Sequence, residues 1–139
     1  MPTVADIRAK IDRWMLEPVD PDLAIDTINA AIESLWGSLL EADVGDKISR
    51  QPYLLTADTD IIPFDEYSAG EFLVCYCLVP LCNLIHEYPQ AAMWEARAEG
   101  ASPRPAVPGG LRQAAIKEVL QKSIRQSHIT PYQPSGNRF

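Results

Sequence analysis

The chain reads as a mainly α domain: a small bundle of about five helices, a short extended or β-hairpin insert, and an extended C-terminal arm. Three observations predict this. Apolar residues recur at helical spacing along most of the chain. Proline and glycine cluster at a few points only, and these divide the periodic stretches from one another. One acidic segment in the middle loses the helical period. At 139 residues the chain is one domain around a single core, with 47% hydrophobic and 22% charged residues, an ordinary globular balance. Residues 1–110 are expected to form the body, and 111–139 a last helix and arm belonging to the same structural domain.

Each element follows from local chemistry. Thr3 can cap a first helix with Asp6 in its first turn, and Val4, Ile7, Ile11, Trp14 and Met15 repeat at helical spacing. "LEPVDPD" breaks it. Asp20 followed by Pro21 is a strong start, a capping carboxylate and then a residue where no amide donor is needed. From Pro21 to about Ala42, Leu23, Ile25, Ile28, Ile32, Leu35, Trp36, Leu39 and Leu40 mark one broad apolar stripe. Between Tyr53 and Pro63, "PYLL" and "TDIIP" are short β-like runs around "TADT", which suggests a hairpin or an irregular crossover.

A third helix starts between Phe64 and Ser68, with Ser68 and Glu71 available as a capping box. It runs to about Glu87 and contains Pro80, which removes one hydrogen bond and should bend it near Cys77. Pro89 restarts a helix that Gly100 ends. "SPRPAVPGG" is expected to be a rigid, exposed linker. The last helix spans about Leu111 to Gln126, with Leu111, Ala115, Ile116, Val119, Leu120 and Ile124 on its apolar face. His128 to Phe139 has two prolines and no period, and reads as the extended arm.

Net charge is −7, unevenly spread. From Leu111 onward five basic residues (Arg112, Lys117, Lys122, Arg125, Arg138) face one acid, Glu118, giving +4 and leaving −11 for the rest. An acidic body does not capture nucleic acid by counterion release. The basic end can seek an acidic partner surface. The first residues are amphipathic and charged, unlike a signal peptide. Three cysteines within eight positions of one helix are not a secreted disulfide framework, so a reducing cytoplasm is the expected site of synthesis.

Candidate sites are few. Cys75, Cys82 and His86 share a helix face, but Cys75 and Cys82 are separated by about 10 Å along the axis. One straight helix cannot bring them to a single zinc, whose ligands lie about 2.0–2.3 Å from the ion. Core packing is the expectation, with no metal. The apolar run Phe72–Ile85 is 14 residues long, short of the roughly 20 that a membrane span needs. Asp58, Asp60, Asp65 and Glu66 lack the ligand and glycine spacing of a calcium loop, and are expected to be solvated loop acids and a helix N-terminus. No nucleophile–base signature, phosphate loop or HExxH motif is present, and no catalytic residue or cofactor is expected.

In order and residue flavour, "DLAIDTINAAIESLWGSL", "DTDIIPFDEYSAGEFLVCYCLVPLCNLI" and "YPQAAMWEARAEGA" resemble the head–tail connector proteins of tailed bacteriophages. These small adaptors, or head-completion proteins, bind below the portal. The likeness covers about three-quarters of the chain, from Asp20 onward, and rests on helix order and flavour; the cysteines and Pro80 depart from it. It implies a structural virion protein of the neck, made in the host cytoplasm. Its partners would be the portal, neighbouring copies in a dodecameric ring, and downstream tail proteins. DNA would pass through the channel without sequence-specific binding, and no membrane is involved. Ile129, Tyr132 and Phe139 would anchor the arm in the portal, while Arg125 and Arg138 pair with portal acids. Two other classes stay open. One is a small helical regulatory module acting on another protein. The other is an enzyme subunit whose polar cluster would be His86, Trp94 and Glu95.

Overall fold

A computed structural model describes residues 2–42, 54–100 and 109–129, with side chains as far as Gln121. It contains α1 (Val4–Trp14), α2 (Pro21–Ala42), α3 (Tyr67–Leu84), α4 (Tyr88–Glu99) and α5 (Gly110–Ile129). The apolar helix α3 lies at the centre and packs against the other four. Phe72, Leu73, Cys77 and Leu78 are fully enclosed there, together with Ile7, Ile28, Leu35 and Leu39 from α1 and α2. By length and composition α3 is the one helix among the described residues that could cross a membrane, yet 56% of it is already buried within the bundle.

The first two helix starts obey the capping chemistry. Thr3 and Asp6 form a reciprocal capping box on α1. The Asp20 carboxylate accepts the Leu23 amide at 3.2 Å at the head of α2. The buried face of α2 is displaced from the expected stripe: Ala24, Thr27 and Ala31 lie inward beside Ile28, Ile32, Leu35 and Leu39, and Leu23 lies outward.

Helix α3 departs from the expected capping box. It begins at Tyr67, with Glu66 as an N-cap that makes no side-chain bond, so Ser68 falls inside the first turn. The Glu118 carboxylate of α5 accepts both the Ser68 amide, at 3.2 Å, and the Ser68 hydroxyl. The orphan donors of one helix are thus met by an acid from another, where the helix dipole also favours negative charge.

The insert is extended, and among the described residues it contains no strand. Ile61 bridges Thr3 and not the Leu54–Leu55 run, so of the two expected alternatives, hairpin or irregular crossover, the crossover forms. Val4 and Ala5 donate to the carbonyls of Asp60 and Asp58, each at 3.0 Å, which satisfies free amides at the head of α1. Asn29 of α2 holds the Leu55 backbone from both sides, donating to its carbonyl at 2.9 Å and accepting its amide at 3.0 Å. Buried Leu55, Ile62 and Phe64 then close the core over this crossover. Side-chain and end-on hydrogen bonds replace a hairpin ladder. Tyr53 lies outside the described residues.

Pro80 stays within α3 on an exposed side. The helix ends three residues earlier than expected, in a Schellman turn whose left-handed position is His86, at φ 65°. Glu87 donates to the Cys82 carbonyl at 2.8 Å and His86 to that of Asn83 at 3.1 Å. The next reversal is built on glycine. Gly100 caps α4 at φ 72°, and a Cβ there would stand 2.6 Å from the Gly110 nitrogen. The two backbones touch where α4 ends and α5 begins. Of the linker expected between them, at 102–110, residues 102–108 lie outside the described residues, and its last residue, Gly110, already begins α5.

Candidate functional site

Of the residues expected to dock a partner, Arg125 and Ile129 belong to the last turns of α5, where side chains are not described. Tyr132, Arg138 and Phe139 lie outside the described residues. One boundary moves: α5 continues through His128 to Ile129, so an arm cannot begin at His128. The physical reason is in the sequence. Nothing after Gln126 breaks a helix until Pro131, which disfavours helical backbone at the residue before it, Thr130.

The described part of the basic segment puts its first cation to a different use. Arg112 sends two nitrogens to the Glu99 carboxylate, at 2.7 and 2.8 Å. Its remaining nitrogen reaches Ser38 at 3.0 Å and the Ser34 carbonyl at 3.3 Å on α2. The same guanidinium lies 4.7 Å from the Phe72 ring centre and 5.9 Å from that of Tyr76. One side chain therefore ties α5 to α2, α3 and α4. The hydrogen bonds it donates to Glu99 raise its pKa further above an already high value. This arginine fastens the bundle and is not a free docking charge. Its role was invisible in the sequence, because its partners lie 13 to 78 positions away.

The three cysteines are buried in the core cluster and unpaired. Burial pushes the Cys75 thiol up to about 11 and raises those of Cys77 and Cys82. Such thiols are poor nucleophiles at neutral pH. Among the described residues no group of three or more His, Cys, Asp or Glu could hold a metal ion. The loop acids have structural partners. Asp58 takes Arg8 at 2.6 Å, and Asp60 accepts the Thr56 and Ala57 amides at 2.7 and 3.0 Å, which lowers its pKa.

His86, Trp94 and Glu95 do not converge. His86 is exposed and bonded to the Tyr88 hydroxyl at 2.7 Å, and Trp94 is buried against Trp14 and under Arg97. Glu95 lies elsewhere, in a groove of about 290 Å³ between α3 and α4 that neither of the other two lines. No protein family, curated protein or solved structure matches this chain. Its surface is the remaining guide. Met15 lies 4.0 Å from Cys82 and Trp14 against Trp94, so the end of α1 is fastened to α3 and α4. Trp14, Leu16, Leu84 and Tyr88 stand exposed on the ends of these helices, from 55% to 77%.

Proposed function

We propose that the chain is a head-to-tail adaptor of a tailed phage, a structural protein that forms a ring below the portal and extends the DNA channel. The observation that carries this reading is the order of the elements. A 22-residue α2 is followed by an acidic crossover, a central apolar α3, an alanine-rich α4 and a basic α5. That is the order the sequence resemblance implies. Two physical features support it. The acidic body suits a channel that must not hold phosphates. Exposed Trp14, Leu16, Leu84 and Tyr88 supply apolar area of the kind that unlike faces of adjacent subunits bury when a ring closes. In this reading the basic C-terminal end, with Arg125, Ile129, Tyr132, Arg138 and Phe139, meets the portal.

The test is location. Virions from cells expressing an epitope-tagged chain should contain it in fixed copy number, and electron microscopy should place the label at the neck. A protein absent from purified virions is not an adaptor.

A further inference from the structure

We infer that the groove between α3 and α4 is a socket for an arginine side chain carried by a segment of a partner protein. Tyr76, Val79 and Pro80 line one wall, and Glu95, Ala98 and Glu99 the other, around about 290 Å³. This inference does not rest on the adaptor reading. The groove offers acceptors and apolar surface in the pattern a guanidinium on a hydrocarbon stem requires. Val79, Pro80 and Ala98 can cover the methylenes. Pro80 has no N–H, so the Tyr76 carbonyl four residues earlier lacks the donor that the helix would otherwise supply. Glu95 is exposed and has no ion-pair partner among the described residues. Both glutamates lie in the C-terminal half of α4, where the helix dipole favours a cation.

The molecule already contains the interaction in miniature. Arg112 forks onto Glu99 and stacks beside Tyr76, using the same helix pair. A second guanidinium could fork onto Glu95 one turn away, with the Tyr76 carbonyl as a further acceptor. Charge complementarity argues for a cation, and the planar fork with an aromatic neighbour argues for arginine over lysine, a compact and strongly hydrated point charge.

The experiment titrates isotope-labelled intact protein with acetyl-Gly-Arg-Gly-amide and its citrulline and lysine counterparts. The arginine peptide should give saturable amide shifts confined to the neighbourhood of Tyr76, Val79, Glu95 and Ala98. The citrulline peptide, of equal shape and no charge, should give none, and the lysine peptide should bind more weakly. Glu95→Gln, at an exposed position, should fold normally by circular dichroism and weaken the arginine peptide about tenfold. Scattered shifts, equal binding of citrulline or lysine, or an unaffected Glu95→Gln protein would overturn the assignment. Self-association of the unliganded protein that Glu95→Gln removes would give the groove to a second copy and overturn the separate partner.

Discussion

Arg112 and Glu99 are joined by two parallel hydrogen bonds, 2.7 and 2.8 Å long, across the point where α4 gives way to α5. The arginine is only 19% exposed, so solvent screens this pair less than an ordinary surface bridge. Replacing Arg112 with alanine should cost about 2–3 kcal/mol in urea unfolding, because it removes the fork, the Ser38 contact and the stacked stem together. Lysine should recover less than half of that loss, having no planar fork. Full recovery with lysine would mean that charge alone matters at this site.

His86 holds a left-handed backbone at φ 65° to complete the Schellman turn. A side chain pays about 1–2 kcal/mol for that conformation, and glycine pays none. Glycine also gains freedom in the unfolded chain, which returns roughly half of the benefit. His86→Gly should therefore stabilise the protein by about 0.5–1 kcal/mol. His86→Ala should not stabilise it. A destabilised glycine variant would show that the Tyr88 hydrogen bond outweighs the strain.

The buried thiols make stability fall in alkali. Cys75 is raised from an ordinary value of 9.0 to about 11, and Cys77 and Cys82 are raised in the same direction. Below about pH 9 these thiols are protonated in both states, and their contribution is fully present. Above it they ionise in the unfolded chain first, so stability is lost progressively as pH rises through the folded values. Urea midpoints measured from pH 8 to 11 should decline, and less steeply in a Cys77→Ala protein. Cys82→Ser should cost about 1–3 kcal/mol, since its hydroxyl would need a partner that sulfur does not. Chelators should leave the melting temperature unchanged.

The docking proposal is tested by shortening the chain after Ser127. The cut removes only the last two helical residues of α5, so the melting temperature of the free subunit should barely change. Attachment to isolated portal rings should be lost. Tyr132→Ala alone should weaken attachment by about 1–2 kcal/mol per site, a loss that many subunits in one ring would amplify. Charge reversal at Arg125 and Arg138 should make attachment slower or more dependent on salt. A shortened protein that still assembles on portals would move the docking surface to the helical body.

Local signals were legible and distant ones were not. Thr3 with Asp6 and Asp20 with Pro21 announce their helices within four residues, and both caps form. The five helices follow from period and proline placement in the same way. Ser68 has an equally plausible local partner in Glu71, but its acceptor is Glu118, 50 positions on. Asn29 clamps Leu55 across 26 positions, so a crossover with β-like residues needs no second strand. The candidate groove belongs to the same class. Tyr76 and Glu95 become neighbours only because the elbow at His86 folds α4 back onto α3.

The contact between Gly100 and Gly110 brings the end of α4 and the start of α5 together across ten positions of the sequence. Helices α4 and α5 meet backbone to backbone at these two glycines, and a longer segment between them should still allow that contact. Each doubling of it should cost only about 0.6 kcal/mol of closure entropy. It is therefore the natural graft point of this protein. A fluorescent domain or an affinity epitope placed at 104 should leave the five helices in register, whereas a single methyl group on either glycine should force them apart.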